Sequence, residues 1–287
     1  MASDIPARSN GSQPLVIVGG GFAGTTTLLH WLLRVAEDPA VTADNPLRIT
    51  MLERNPQQMH GGIAYGQTPK FEYNLNLSSR RVTPFARHAR PEGFPAFEEY
   101  ITGLADGAPA FKEELANPSR QLYGLYLQEL IERAAAKAGD KLILERVYDE
   151  AIDITETPQG ARLQLKSGGV MDCAHVVLAT GFKEAVLPKF AFNAAAHPSF
   201  LDYPYSDAAN RFYDKLLAGP DNAPDKSLLV LGTGLSAMDT AIRLLDSGYQ
   251  GQITMLSRKA MFHPTYRQYV DKDYLSAGLE GEPRAPE

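Results

Sequence analysis

The sequence predicts an α/β protein in which a buried strand, a glycine-rich turn and a helix occur in that order twice. The first copy runs from Leu15 to about Ala36, and the second runs from Ser227 to about Ser247. In each copy a short apolar run leads into a turn with three small residues at fixed spacing, and a helix-forming run follows. Repeated units of this kind predict parallel strands, with any ligand bound at the carboxyl ends of the strands.

The first turn contains Gly19, Gly21 and Gly24 directly after the apolar run that ends at Val18. The first glycine allows a tight turn, and the second removes a side chain where a pyrophosphate would approach the backbone. The third lets the helix pack closely on the strand. The start of the helix then offers free amide groups and a partial positive charge to the phosphates. This motif predicts a Rossmann-like dinucleotide site and does not distinguish FAD from NAD.

The next predicted strand spans residues 47–53 and ends at Glu53. A carboxylate in this position can accept hydrogen bonds from the hydroxyl groups of a ribose. Glu53 lies further along the chain than is usual for such an acid, so the intervening helix and loop are expected to be long. The alternative is that Glu53 is a solvated residue at the end of a strand.

The region between the two turns changes character several times. Residues 55–95 are rich in Gly, Pro, Asn and Arg with little periodicity, which predicts a long functional loop rather than packed elements. Residues 119–138 carry apolar residues at helical spacing, and Ser119 and Gly139 are suited to begin and end that helix. Three strand-like runs follow, LILERVYDEAIDI, ARLQLKS and CAHVVLATG.

The second turn has Gly232, Gly234 and Ala237, and alanine in the third position still allows close contact between helix and strand. The strand after it spans residues 253–258 and ends with Arg258, where an NAD site more often has a carboxylate. A planar guanidinium suits the additional 2′-phosphate of NADP, although an arginine at a strand end can also be merely solvated. Two dinucleotide sites in one chain predict a relay of hydride from a nicotinamide to a second redox cofactor.

Composition excludes several other classes of protein. The 287 residues include 28 Lys and Arg against 34 Asp and Glu, a net charge of -6, so nucleic-acid binding is disfavoured. The single cysteine, Cys173, rules out a dithiol within the chain and argues against a disulfide reductase of similar fold. No apolar run is long enough to span a membrane, and a cytoplasmic protein is expected. The histidines show no metal-ligand spacing, so no metal site is predicted.

Arginines cluster in the central loop, at Arg80, Arg81, Arg87 and Arg90. One interpretation is a solvated basic stretch. The other is contact with the phosphates of a dinucleotide or with an acidic substrate.

Four stretches carry a resemblance to a known family: VIVGGGFAG, GGIAYGQTPKFEYNLNLSSRRVT, VVLATGF, and LLVLGTGLSAMD with the later LSRKAMFHP. They resemble the FAD/NAD(P)-binding flavoproteins that include FAD-dependent urate hydroxylases and aspartate N-hydroxylases and, more distantly, lysine and ornithine N-hydroxylases. The resemblance implies FAD at the first turn and NADPH at the second. It also implies monooxygenation of a small polar substrate after the reduced flavin activates oxygen.

The same resemblance implies which residues contact the cofactors. Those expected at FAD are Gly19, Gly21, Phe22, Ala23, Gly24, Glu53, Arg54, Gly62, Tyr65, Asn76, Val147, Ala179, Thr180 and Gly181. Those expected at NADPH are Gly232, Gly234, Ser236, Ala237 and Arg258. Tyr65 can instead fill the core, and Asn76 can instead cap a turn. No catalytic side chain is assigned, because the protein would position and shield the cofactors rather than supply an acid or base.

The expected organisation is a disordered tail over residues 1–14, an FAD-binding domain over 15–203, a linker over 204–226, a partial NAD(P)-binding unit over 227–277 and a disordered tail over 278–287. Members of the family continue well past the second turn, so the chain is expected to be short at its carboxyl end. A missing remainder, a partner chain or a second copy would complete the second unit, or that unit would pack on the first as an appendage. The leading hypothesis is an FAD-dependent, NADPH-using oxidoreductase, and the alternative is a non-catalytic or partner-dependent dinucleotide-binding fragment.

Overall fold

The computed structural model describes residues 13–66, 73–85, 90–104, 117–181, 187 and 189–259. Most of the predicted amino-terminal tail, the end of the predicted NAD(P)-binding unit and the whole predicted tail over 278–287 lie outside these ranges. The carbonyl of Pro14 accepts a hydrogen bond from the Ala174 amide at 3.1 Å, so the predicted tail extended too far at this residue. The chain divides into two compact units, Met1–Phe212 and Tyr213–Glu287. None of the helices described is long and apolar enough to cross a membrane.

The described part of the first unit contains seven strands. They are β1 (Leu15–Val18), β2 (Leu47–Leu52), β3 (Leu142–Val147), β4 (Ala151–Thr157), β5 (Gly160–Leu165), β6 (Val170–Cys173) and β7 (His175–Leu178). Its helices are α1 (Phe22–Glu37), α2 (Gly62–Tyr65), α3 (Phe97–Leu104) and α4 (Arg120–Ala138), and helix α5 (Asp207–Ala218) crosses from this unit into the second.

The first sheet is parallel, with the strand order β3-β2-β1-β7. Its register pairs Val18 with Leu52 and with Leu178, and it pairs Leu52 with Val147. All four strands therefore end level, and the residues that follow them lie side by side along one edge. A parallel α/β sheet of this kind confirms the predicted fold class, and it places the site at the edge where such sheets bind their ligands.

The two faces of the parallel sheet are covered differently. On one face α1 and α4 contribute the large apolar cluster, in which Ile17 packs with residues such as Leu28 and Tyr126. On the other face Val16 and Val18 pack against the antiparallel sheet β4-β5-β6, whose Leu163 is fully buried. Because side chains of a strand alternate between faces, β1 is buried on both sides, as parallel strands generally are.

Helix α4 forms where the sequence predicts it. Ser119 caps its start by accepting hydrogen bonds from the amides of Gln121 and Leu122, and Gly139 ends it with a left-handed φ of +54°. The buried side chains of this helix recur every three or four residues and include Tyr123, Leu127, Leu130, Ile131 and Ala134, which gives it one apolar face.

Three expectations differ from the structure. The prediction that residues 55–95 contain no packed elements is wrong in part, because this stretch includes α2 and the buried rings of Phe85 and Phe94. The run from residue 142 to 154 is two strands in different sheets, β3 and β4, rather than one. The predicted linker over 204–226 contains helix α5, although the Pro, Asp and Asn residues of this stretch favour a linker.

The described part of the second unit contains strand β8 (Ser227–Leu231), helix α6 (Leu235–Asp246) and strand β9 (Gln252–Leu256) in addition to the end of α5. The two strands are parallel, and Leu231 pairs with Leu256, so they also end level. Helix α6 buries one face, with Ala237, Ala241 and Leu244 at helical spacing. This is the strand–turn–helix–strand order that the second glycine turn predicts.

Candidate functional site

The first glycine turn lies at the carboxyl edge of the parallel sheet. The Gly19 amide donates to the Leu52 carbonyl at 2.8 Å, and Gly19 has a φ of +109°. A Cβ atom at Gly19 would overlap the carbonyl oxygen of Ala179, and a Cβ at Gly24 would overlap the carbonyl oxygen of Gly19. Glycine is therefore required at both positions because backbone meets backbone, as the motif predicts.

Helix α1 begins in this turn with exposed backbone donors. Gly21 is its N-cap in extended conformation, and the first bond of the helix runs from the Thr25 amide to the Gly21 carbonyl at 2.9 Å. The preceding amides of an α-helix have no partner within the helix, and the first turn of α1 contains no acidic residue. The free amides and the positive end of the helix dipole are suited to bind an anion such as a pyrophosphate.

The start of α2 packs against the first turn at Gly21. Gly62 has a φ of +62°, and a Cβ built on it would lie 2.7 Å from the Cα of Gly21. A Cβ on Gly21 itself would project toward Gly62, with 3.7 Å between that Cβ and the Gly62 Cα. The two main chains therefore approach each other closely at these glycines, and a side chain at residue 62 would have no room.

Glu53 connects the turn to the end of β2. Its carboxylate accepts hydrogen bonds from the Gly20 amide at 2.8 Å and from the Asn55 amide at 3.0 Å, and its own amide donates to the Val147 carbonyl at 3.0 Å. The residue is only 7% exposed. The alternative interpretation of a solvated residue is therefore wrong. Each carboxylate oxygen keeps a second lone pair, which a ribose hydroxyl can use.

The other residues predicted at this site differ in their contacts and exposure. The Ala179 amide donates to the Val18 carbonyl at 2.8 Å, and Thr180 and Gly181 follow it as exposed residues. The Phe22 and Tyr65 rings meet edge to face, with 5.8 Å between their centroids.

Tyr65 also packs on the buried ring of Tyr123 at 4.9 Å, so it contributes to the core as well as to the surface near the turn. Arg54 is exposed and lies 3.5 Å from the Glu150 carboxylate, and Asn76 is exposed in a bend.

Two of the clustered arginines bind acids of α3. Arg80 pairs with Glu98 at 2.9 Å, and Arg90 pairs with Glu99 at 2.6 Å. Arg81 is exposed, and Arg87 lies outside the described residues. Two of the four arginines thus pair with neighbouring carboxylates of the same unit.

The second turn has the same backbone geometry as the first. The Gly232 amide donates to the Leu256 carbonyl at 2.8 Å, and Gly232 has a φ of +121°. Gly234 is the extended N-cap of α6, with a ψ of -176° against -175° for Gly21. Ala237 is buried in the third position, and Ser236 is exposed. The two turns thus have the same backbone geometry although most of the residues in their helices differ.

The two turns differ in the residues that tie each turn to its neighbouring strand. At the second turn the hydroxyls of Thr233 and Ser257 lie 3.0 Å apart, in the places that Gly20 and Glu53 have at the first. Arg258 follows Ser257 with an exposed side chain. The second turn therefore has Ser257 where the first has a carboxylate that would repel an additional phosphate group, and the positively charged Arg258 is next to it.

The sequence model of the FAD-NAD(P)-binding family matches residues 16–183, which is more than half of the chain. The chain belongs to the FAD-NAD(P)-binding family. The matched residues include the first turn, Glu53, Gly62 and the Ala179–Gly181 segment, so the family match covers the site built above. No curated protein matches the sequence.

Solved structures show the fold of this FAD-NAD(P)-binding protein. The reduced form of ornithine hydroxylase (PvdA) from Pseudomonas aeruginosa is 15% identical, with a TM-score of 0.57 over 86% of this chain and 54% of that one. L-lysine 6-monooxygenase from Pseudomonas syringae is 22% identical, with a TM-score of 0.53 over 85% and 53%. Lysine monooxygenase NbtG from Nocardia farcinica is 15% identical, with a TM-score of 0.51 over 87% and 58%. The chain spans little more than half the length of these neighbours.

His60 is a residue of the site that sequence reasoning missed. It is 2% exposed and has a left-handed φ of +66°, and its Nε2 accepts a hydrogen bond from Nε of Arg146 at 2.9 Å. Burial and then the positive charge of Arg146 lower the pKa of His60 from 6.5 to about 4. The sequence feature that could have identified His60 is its position directly before Gly61 and Gly62.

In the described part of the chain, no three His, Cys, Asp or Glu residues group as a metal site.

We predict that Gly62→Ala destabilises this FAD-NAD(P)-binding protein more than Gly168→Ala does. Both replacements put a side chain at positive φ, +62° and +92°, which costs roughly 1–2 kcal/mol. Only the Cβ at residue 62 also meets a neighbour, since nothing lies within 4 Å of a Cβ at Gly168. Thermal unfolding of the two variants tests this, and equal melting temperatures would contradict the backbone approach described.

We also predict that acid weakens the fold through His60. Its folded pKa of about 4 lies below its unfolded value of 6.5, so its contribution to stability is complete above pH 6.5 and is lost as the pH falls from 6.5 to 4. Unfolding free energies measured by denaturant across this window should decline less steeply for His60→Asn than for the parent. The exposed His197→Asn is the control, and it should keep the parent's slope. Parallel curves for the parent and His60→Asn would refute the linkage.

Proposed function

We propose that this protein is an FAD-dependent, NADPH-using oxidoreductase, and that it is a monooxygenase of a small polar substrate. The observation that carries the proposal is the pair of turns with one backbone geometry and two different neighbouring residues. At the first turn, the Gly20 amide bonds to the carboxylate of Glu53. At the second turn, the Thr233 hydroxyl bonds to that of Ser257, and Arg258 is the next residue. Each turn is suited to a different dinucleotide, as a relay between two redox cofactors requires.

FAD fits the first turn. Its pyrophosphate would lie on the amides at the start of α1, beside the close approach of Gly62 to Gly21. Its adenosine ribose would bind Glu53, and the end of β3 at Val147 would meet the adenine. Thr180 and Gly181 continue the same sheet edge toward the flavin.

NADPH fits the second turn. Its pyrophosphate would lie between Gly232 and the start of α6, close to Gly234 and Ser236. A 2′-phosphate would meet the Ser257 hydroxyl and the guanidinium of Arg258, which forms paired hydrogen bonds with phosphate oxygens. Lys259 adds a second exposed cation next to it.

The bound groups would supply the chemistry: NADPH would provide a hydride, and FAD would provide the two electrons with which one atom of O2 enters the substrate and the other leaves as water. The chain's own residues would bind and orient these groups. The rings of Tyr65 and Tyr123 both pack against Phe22, and burial raises the pKa values of these two tyrosines, so both stay neutral at ordinary pH and are unsuited to act as bases. We therefore assign no catalytic acid or base.

The reaction class is supported by the solved neighbours, which include an ornithine hydroxylase and lysine monooxygenases. The resemblance of the GGIAYGQTPKFEYNLNL stretch to urate and aspartate hydroxylases supports a small polar substrate.

A dinucleotide-binding fragment without turnover of its own is the second candidate. Leu229, Leu231 and Leu256 in β8 and β9 are between 50% and 58% exposed in the described part of the chain. Parallel strands are normally covered on both faces, so these leucines favour a second unit that needs further polypeptide to be complete.

Titration with FAD followed by anaerobic addition of NADPH tests the proposal. The expected result is stoichiometric FAD binding, with bleaching of the visible flavin absorbance when NADPH is added. Binding without bleaching would favour the fragment that lacks turnover. A chain that takes up neither FAD nor NADPH would contradict both candidates.

Arg258→Ala should weaken NADPH binding roughly 10- to 100-fold, as expected for loss of a charge-assisted hydrogen bond, and should leave NADH binding almost unchanged. Lys226→Ala is the matched control, because Lys226 precedes β8 at the opposite end of the same two strands and is exposed. Dissociation constants for both nucleotides report the result. Equal losses for NADPH and NADH would show that Arg258 does not read the 2′-phosphate.

A further inference from the structure

His60 combines a left-handed backbone conformation with a buried side chain. Non-glycine residues with a φ near +66° are uncommon, and this one is buried as well. Its Nε2 accepts a hydrogen bond from Arg146 in β3, and Nη2 of Arg146 in turn donates to the carboxylate of Glu132 on α4. The three residues form one chain of contacts from α4 through β3 to the segment before α2.

The hydrogen bond from Arg146 fixes the state of the imidazole. Because Nε2 accepts, the proton of the neutral ring is on Nδ1, and the adjacent guanidinium disfavours a second proton. Nδ1 is buried and has no hydrogen-bond partner among the described residues. A buried donor without an acceptor and a left-handed backbone both cost stability, so stability alone does not explain a histidine here.

The segment that follows His60 is tightly wound. The Gly61 amide donates to the Gln58 carbonyl at 3.1 Å, and the Gly61 carbonyl accepts from the Tyr65 amide at 3.1 Å. The Gly66 amide donates to the Gly62 carbonyl at 2.9 Å. These bonds make the segment a rigid piece, so anchoring the His60 side chain also anchors Gly62.

We propose that His60 is a positioning residue for the first dinucleotide site. The Glu132–Arg146–His60 contacts tie the start of α2 to β3 and so set how closely Gly62 approaches Gly21 at the start of α1. The pyrophosphate of FAD would lie on the amides beside this close approach, and the inference therefore rests on the proposed function of the first turn. His60 acts through the backbone of Gly62, and Arg146 and Glu132 act through His60.

Two replacements of His60 separate its contacts. Glutamine places an amide oxygen near the position of Nε2, where it can still accept from Arg146. Asparagine tolerates the left-handed backbone better, but its side chain is too short to reach Arg146. Arg146→Met removes the donor from the other side. Arg162→Met is the matched control, because Arg162 also pairs with a carboxylate, Asp172 at 2.7 Å, but in the antiparallel sheet.

The experiment measures FAD dissociation constants by fluorescence titration of the full chain, together with NADP⁺ dissociation constants and the melting temperature of each variant without nucleotide. His60→Asn and Arg146→Met should weaken FAD binding roughly 10- to 100-fold, the range for loss of one charge-assisted hydrogen bond. His60→Gln should recover most of the affinity, and Arg162→Met should match the parent. NADP⁺ binding should be unchanged in all four variants.

Three results would overturn the proposal while leaving FAD binding by the parent intact. They are unchanged FAD affinity in His60→Asn, a His60→Gln variant as weak as His60→Asn, and an equal loss of FAD and NADP⁺ binding with a lowered melting temperature. The last would show general unfolding instead of positioning. Failure of the parent chain to bind FAD would instead overturn the proposed function, and this inference with it.

Discussion

The carbonyl oxygens around the first turn leave no room for side chains, and the site depends on this constraint. Gly19 and Gly24 stand where a Cβ would overlap backbone oxygen, and Gly62 stands where a Cβ would meet the Cα of Gly21. The result is a binding surface made of main chain, which presents amide donors at fixed positions without the entropy cost of ordering side chains. The buried bond from the Gly20 amide to Glu53 holds that surface to the end of β2.

The second turn shares the backbone angles of the first but not this crowding, because no atom of the described residues lies within 4 Å of a Cβ built on Gly232 or Gly234. A neutral pair of hydroxyls, Thr233 and Ser257, replaces the bond between an amide and a carboxylate, and the backbone angles hardly change. Selectivity between two related nucleotides can thus depend on the residue that follows the second strand of each unit, which is Glu53 after β2 and Ser257 after β9. The common part binds the phosphates that the nucleotides share, and the variable part meets the ribose, where they differ.

Local sequence patterns predicted the strand–turn–helix units, the α/β class and helix α4, because glycine spacing, helical periodicity and capping residues act over a few residues. Contacts between distant residues were not predictable in the same way. The placement of β7 beside β1 and the bond between His60 and Arg146, 86 residues apart, depend on how the whole unit packs. Residues 55–95 show little periodicity because a helix as short as α2, with four residues, is too brief to produce it. The residue assignments at both turns remain predictions, with geometry that agrees with the motif.

Amide hydrogen exchange, measured with and without FAD, tests the central claim most directly. If the main chain of the first turn receives the pyrophosphate, FAD should slow exchange at the amides of residues 21–24 and leave those of residues 234–237 unchanged. Exchange that slows only at the second turn, or at neither turn, would contradict the account.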